Sequence, residues 1–461
     1  MFRKPAQGHG NGMNLPRISG LFLSITLAMI FPLHADAAGK PKQTFPRLGG
    51  YQIGATPYTG YDDPDYQRMM AKLDYVILSK GTELTNVYAQ QIRDRNPSIL
   101  LARYTNIVDI SPTRENFQQE RVDKLDSGVG PNNTNAKDWW ARDYKGNITS
   151  NWPSMLMANI TRFVKPDSNG DRWGEWAAKH YYGLWMDDPV WDAWFEDVVF
   201  YQPRTTESGA AVDWSGGKES SSSVINASYR SGHRAYWDTI KKLTPGKMIF
   251  VNHDWYNSGS PLPEYQNQVN GGLLEKVMKS TDEDAKGVKF LNTLEKYRKS
   301  FAFMRDPKII MFVAQGEPNN YQFARYAFGT CLLNDGYFDY VPWDNHYGTV
   351  EWFDEYDLAG TAGTDWLGYA MDAPPAAPWK SGVWRREFQG GLVLVNPQGN
   401  GTKTVGIEPG FSRISGRQDR TTNNGQATTS VTLKEGDAIM LVRTDTQTLT
   451  AAPKRPNLTV N

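Results

Sequence analysis

The feature that most limits what this chain can fold into is a repeated change of apolar rhythm between residues 50 and 340. Short apolar runs alternate with segments of helical period. Tyr51–Gly54, Tyr75–Leu78, Ile99–Ala102 (running on to Tyr104), Gly183–Asp187, Met248–Asn252, a run ending at Glu275, Ile309–Ala314 and Tyr337–Tyr340 read as eight strands. Helices are expected at Asp63–Leu73, Thr85–Arg95, Asp171–His180, Gly232–Leu243, Val288–Lys299 and Asn320–Leu333. Asp63 caps the first of them and Pro64 takes its first helical position. A strand followed by a helix returns parallel to itself, so eight such units predict an α/β chain closed as a (β/α)8 TIM barrel. An open doubly wound sheet would carry a Gly-rich phosphate turn after its first strand, and Gly49, Gly50 and Gly54 lack that spacing.

From Thr364 the rhythm changes. Gly382–Phe388, Gly391–Asn396, Ser430–Leu433 and Ala438–Val442 are β-rich runs separated by Gly, Pro and Asn turns. The expected organisation is a barrel over 45–363, a small C-terminal antiparallel β-sandwich domain over 364–443, and a flexible tail over 444–461. Residues 1–37 read as a signal peptide: Arg3, Lys4 and Arg17 lead into an apolar run, Leu21–Leu33, too short for a comfortable membrane span. Ala35-Asp36-Ala37 supplies the small-x-small cleavage pattern. No other stretch is long and apolar enough to cross a bilayer, so the expectation is an exported protein, periplasmic or extracellular.

Composition narrows the partners. With 50 basic and 50 acidic residues there is no basic field for a nucleic-acid backbone. Cys331 is the one cysteine, so no internal disulfide can form, and its apolar helical neighbours mark it as a core residue. The histidines that follow the leader (His180, His233, His253, His346) show no HxH or HxxxH spacing, so neither a metal nor another cofactor is expected. A serine-hydrolase elbow, G-x-S-x-G, is also missing from the sequence. Oligomeric state is not readable.

In a (β/α)8 barrel the chemistry sits at the C-terminal ends of the strands. Two expected strands end in acids, Asp187 on strand four and Glu275 on strand six. Two carboxylates across one mouth suit glycoside hydrolysis, one attacking or stabilising the anomeric carbon and the other protonating the leaving oxygen. Both the retaining and the inverting separation are open to strands so placed, with retention preferred. The 16 tryptophans add to this, many of them in the expected loops beside Asp, Asn and Arg. Sugar rings offer C–H faces to aromatic side chains and hydroxyls to polar ones. On these grounds Asp188, Asn252, His253, Arg142, Asp143, Asn159, Gln315 and Asp344 are expected to orient substrate, and Trp140 and Trp343 to stack sugar rings.

At these residues the chain resembles glycoside-hydrolase-like family fifteen, a barrel group distinct from the glucoamylase family of the same numeral. The resemblance is carried by Trp139-Trp140-Ala-Arg142-Asp143 with Gly146-Asn147, by Leu156-Met-Ala-Asn159 and by Gly183-Leu-Trp-Met-Asp187-Asp188. It continues through the Glu275 strand, Trp352-Phe-Asp354-Glu355-Tyr-Asp357 and Gly391-Leu-Val-Leu-Val-Asn396-Pro397. It implies a barrel with a C-terminal β domain acting on a glycan. The related superfamily containing α-galactosidases places its nucleophile after strand four and its acid/base after strand six, which implies Asp187 and Glu275 in those roles. The strand-six acid is Glu here where that superfamily has Asp. The alternative is a non-catalytic glycan-binding or polysaccharide-export accessory protein. A third reading, an enzyme of amino-sugar or acidic polymers, looks to Arg142 and Arg103 in the pocket.

Overall fold

The computed structural model describes residues 39–54, 60–78, 85–113, 117–128, 139–206, 209, 211–284, 286–343 and 347–445. The expected signal peptide and nearly all of the expected tail lie outside them. Eight parallel strands form one sheet: β1 Gly49–Gln52, β2 Tyr75–Leu78, β3 Leu100–Thr105, β4 Ala193–Val199, β5 Met248–His253, β6 Gly271–Lys279, β7 Ile309–Gly316 and β8 Tyr337–Pro342. They pair in that order, and a Leu48–Phe338 bridge brings the last strand to the first. Side chains alternate across a strand. Tyr51, Tyr75, Ile77, Leu100, Ala102, Ala193, Phe195, Phe250, Leu273, Met311, Val313 and Tyr337 therefore fill the interior as one buried cluster. Tyr75 and Phe250 meet there at 5.0 Å between ring centroids, so the barrel is packed through its middle.

Strand four is not where the sequence suggests. Trp173–Tyr181 is helix α4 (after α1 Pro64–Met70, α2 Thr85–Arg95 and α3 Phe117–Ser127), and Tyr182–Met186 continues it as a π-helical turn. A short apolar run has no period of its own and can belong to a helix as readily as to a strand. Here helical spacing decides: Tyr181 and Trp185, four residues apart, stack at 5.5 Å. The barrel strand begins at Ala193, and its register with β3 and β5 pairs Phe195 with Tyr104 and Phe250. Helix α5, Ser222–Leu243, also starts earlier than expected and takes in the end of the serine run.

After α6 (Val288–Phe303) and α7 (Tyr321–Leu332) the chain forms strands β9 Trp384–Phe388, β10 Gly391–Asn396, β11 Lys403–Gly406, β12 Phe411–Arg413, β13 Ser430–Leu433 and β14 Asp437–Arg443. β9, β10, β14 and β12 make an antiparallel sheet in that order, and β11 pairs with β13. One face of the larger sheet (Leu392, Leu394, Ile439, Leu441) closes on Val405, Val431 and Leu433 of the smaller. Its other face (Val393, Val395, Ala438, Met440) joins the core that wraps the barrel. Each such aliphatic side chain contributes about 1.5–3 kcal/mol on full burial. Gly329 on α7 permits the approach, because a Cβ there would stand 2.7 Å from the Ala438 Cβ.

Candidate functional site

The inward alternation that fills the barrel continues to its C-terminal rim. It brings Tyr104 (β3), Asp197 (β4), Asn252 (β5), Glu275 (β6), Gln315 (β7) and Asp339 (β8) round one mouth. Asn252 is the centre of the arrangement. Its Nδ2 donates to Asp197 Oδ1 at 2.9 Å and to Glu275 Oε2 at 2.8 Å. Asp197 also accepts from the Tyr104 hydroxyl at 2.6 Å and from the Val198 N–H at 2.9 Å. Glu275 accepts a second bond from the Tyr347 hydroxyl. Tyr51 packs its ring at 4.7 Å from that of Tyr347 and closes the floor of the mouth.

Both acids stand at a break in their strands. The pairing of β4 with β5 shifts register between Glu196 and Val199, and that of β6 with β7 between Leu274 and Met278. The residue after each acid has a left-handed backbone, Val198 at φ 64 and Lys276 at φ 49. Such a conformation is costly for a β-branched side chain and settles where the surroundings enforce it, often beside functional groups. Each bulge turns the strand just as its carboxylate reaches the rim.

The electrostatics follow from crowding. Burial is the largest influence on Asp197 and raises its pKa; the Tyr104 bond opposes this, the Glu275 charge adds to it, and the Asn252 and Val198 bonds oppose it again. Asp339, buried and accepting the Tyr51 N–H at 2.8 Å, is pushed up to about 7 by burial. Asp109, on a short ribbon (Asp109–Ile110 with Leu156–Met157) just after β3, also rises to about 7, through burial and then the charge of Asp197, with Arg204 opposing. Among the described residues no group of three His, Cys, Asp or Glu could hold a metal ion, and no helix is long and apolar enough to cross a membrane.

Glu275, Asn252 and Gln315 thus lie on the inner face of the rim, and Trp343 stands half-buried close by, its Nε1 donating to Ser280 Oγ at 3.0 Å. Asp344 falls outside the described residues. The other expected site residues are elsewhere. Asp187 is exposed on the approach to the N-terminal end of β4, where Lys247 ties down the Met186 and Asp188 carbonyls. Asp188 accepts from Asn86 Nδ2 and the Val190 N–H, bracing that turn. His253 alternates outward from Asn252. Its Nδ1 accepts the Trp255 N–H, burial depresses its pKa to about 3, and it fits only because residue 272 is glycine, where a Cβ would lie 2.4 Å from Nε2.

Trp140 is buried with Nε1 on Asp126, and Asn159 braces the Trp214 carbonyl at 3.0 Å. Asp143 closes its own turn through the Lys145 and Asn147 N–H groups, and Arg142 Nη1 donates to the Gly146 carbonyl. These four hold the long excursion between β3 and α4 together. Arg103 faces outward from β3, fully buried, and does not line the mouth. The residues missed were Asp197, Tyr104, Asp339 and Tyr347. A signal for Asp197 existed: Ala193-Trp-Phe-Glu-Asp-Val-Val199 alternates Ala, Phe and Asp on one face and ends in valines, as a barrel strand should.

With this geometry in view, the comparisons with known proteins are specific at the level of family. The model of hypothetical glycosyl hydrolase family 15 matches residues 93–392. The chain belongs to this family. That places it among glycoside-hydrolase-like barrels and covers the strands from β3 to β8, with both rim carboxylates. Solved structures similar in fold include the glycoside hydrolase domain of PelA from Pseudomonas aeruginosa, 11% identical, covering 65% of this chain and 93% of that one with a TM-score of 0.37. Others are Amy13B from Eubacterium rectale (9% identity, 88% of this chain and 98% of that, TM-score 0.47) and an α-amylase from Geobacillus thermoleovorans (7%, 88% and 100%, TM-score 0.45). None of the curated proteins matches.

Proposed function

We propose that this member of the family is an exported glycoside hydrolase that cleaves a poly- or oligosaccharide with Asp197 and Glu275 as its two carboxylates. The observation that carries the reading is the shared Asn252 nitrogen. Because both acids bind it, their two oxygens lie within about 6 Å of each other, near the ~5–5.5 Å of retaining glycosidases and short of the ~6.5–9.5 Å of inverting ones. Asp197, held by three donors, attacks the anomeric carbon. Glu275, exposed at the rim, gives its proton to the departing glycosidic oxygen as that bond breaks. Glu275 then takes a proton from water, whose oxygen displaces Asp197 and restores both acids. Asn252 and Tyr347 keep the pair in register, and Gln315 and Trp343 face the substrate.

The test is a glycan hydrolysis screen with the wild type beside Asp197→Asn, Glu275→Gln and Asp187→Asn. Asp197→Asn should lose roughly 10³-fold or more in kcat/KM. Glu275→Gln should lose roughly 10²–10⁴-fold on natural leaving groups and far less on an aryl glycoside that departs without a proton. Asp187→Asn should match the wild type. Full activity in Asp197→Asn would end the proposal. Sugar affinity without turnover in the wild type would favour a glycan-binding role on the same fold.

A further inference from the structure

At the end of the barrel away from the mouth there is an open cavity of about 550 Å³. It lies among the arm before β1, the turns that lead into β2 and β3, and the link after β8. Its size is that of a small-ligand site. The walls are fixed by bonds of their own. Lys42 Nζ reaches Asp74 Oδ1 at 2.9 Å and the Thr364 carbonyl at 2.8 Å, and Asp74 Oδ2 accepts the Leu48 N–H at 2.7 Å. Asn96 Nδ2 holds the Ala71 carbonyl at 2.9 Å. Trp352, half-buried, is locked at its edge: Nε1 donates to Asp357 Oδ2 at 2.9 Å, and the ring meets that of Tyr356 at 85° with centroids 5.4 Å apart. On the cavity side of the indole stands the ammonium of Lys72, 4.7 Å from the ring centroid.

Two features of this cavity select a ligand. The first is the indole, a flat apolar face held at a set angle, against which the C–H groups of a sugar ring can pack. Its cover is an exposed, long side chain that a ligand displaces at the cost of one cation–π contact. The second is balance of charge. Lys40, Lys42 and Lys72 line the cavity with Asp74, Asp357 and Asp365. Lys42 and Asp74 pair with each other, and Asp357 is engaged by Trp352 Nε1 and the Gly360 N–H, while Lys40, Lys72 and Asp365 are exposed. A uronate would meet Asp357 and Asp365, and an amino sugar would meet Lys40 and Lys72. A hydroxyl both donates and accepts, so an uncharged sugar suits both sets. We infer that this cavity is a second carbohydrate-binding site, separate from the mouth, which takes a neutral sugar unit stacked on Trp352 with its hydroxyls shared between the lysines and Asp365. It performs no chemistry. It holds a glycan to the protein independently of the mouth, and a chain long enough to engage both places is bound more tightly than by either alone.

The experiment is calorimetric titration of the full chain with maltohexaose, cellohexaose, laminarihexaose and mannohexaose, beside hexagalacturonate and fully deacetylated chitohexaose. All titrations use the Asp197→Asn background, so that the heat reports binding and not turnover. At least one neutral hexaose should bind. Adding Trp352→Ala should weaken binding at one site per chain by roughly tenfold or more. Trp352→Phe, which keeps an aromatic face, should bind more tightly than Trp352→Ala. Ala362→Tyr fills the cavity from an exposed position on its wall and leaves Trp352 in place, so it should reproduce the loss with circular dichroism unchanged. Binding of none of the neutral hexaoses, tighter binding of either charged one at the Trp352-dependent site, or binding that Ala362→Tyr leaves intact overturns the inference. Hydrolysis by the wild type is read separately. Binding lost in both variants with no hydrolysis upholds the inference and overturns the hydrolase; hydrolysis with binding indifferent to both variants does the reverse.

Discussion

Replacing Arg103 by methionine should make this protein more stable. The guanidinium is fully buried between β3 and the segment after α4, and none of its three nitrogens has a hydrogen-bond partner. What it has are rings, with its carbon 4.0 Å from the Trp185 centroid and 5.7 Å from that of Trp191. Burial presses its pKa down to about 9 from an ordinary 12.5. At ~1.4 kcal/mol per pKa unit, holding it charged costs about 5 kcal/mol. A desolvated cation–π contact returns about 2 kcal/mol. Methionine keeps most of the stem's packing, adds a sulfur that sits well against aromatic edges, and has no charge to desolvate. The expected gain is about 2–3 kcal/mol, within the range seen when buried charges give way to apolar groups. For a chain of this size that is a rise in Tm of roughly 2–4 °C and a later urea midpoint at unchanged slope. Since the side chain faces away from the mouth, kcat/KM should stay within about twofold. A variant no more stable than the wild type would refute the reasoning, because it would mean that the guanidinium gains as much from its surroundings as its burial costs.

Two further expectations concern pH. Asp197 must be ionised to attack, and burial raises its pKa, so activity should fall with acidification above the usual aspartate range. Glu275→Gln has no proton to lose, so on an aryl glycoside its basic limb should disappear while the acid limb set by Asp197 stays; a basic limb that persists would contradict Glu275 as the proton donor. Asp339 has a folded pKa of about 7 against 3.8 when unfolded, so the folded state binds the extra proton between those values and stability declines as pH rises from about 4 to 7. Asp339→Asn should flatten that decline and leave the variant about 2–3 kcal/mol ahead of the wild type at pH 8, as read by urea denaturation. Parallel stability curves for the two proteins would dismiss it.

Where the sequence was legible, its rhythm was unambiguous. Helix Thr85–Arg95 has the expected boundaries, and seven of the eight barrel strands lie within a few residues of theirs, because long periodic segments and strands bracketed by turns leave little choice. Strand four was lost to a neighbour with the same look. Gly183–Asp187 and Ala193–Val199 are both short, apolar and acid-bearing, and only packing against Tyr181 tells the helical one apart. Glu275 was found because its strand was found; Asp197 went unseen with its own. His253, Trp140 and Asn159 show another limit. The chemistry that suits a residue to hold a sugar also suits it to brace a loop, and the direction of a side chain is set by alternation within the strand. Tyr347 reaches the mouth from a segment outside the barrel strands, where no period announces it.

Helix α7 has consequences for how this molecule can be divided. From Ala324 to Leu332 every residue is buried, since strands of the barrel cover one side and the C-terminal sheet the other. A surface helix of an ordinary barrel keeps a wet face; this one has none, and Arg325 is anchored on Asp419 and Asp437 across the junction. Cutting the chain near residue 364 would therefore release no self-sufficient catalytic fragment. It would strip a buried helix face to water and leave a guanidinium without its acids, so the two parts should melt in one transition and be expressed only together.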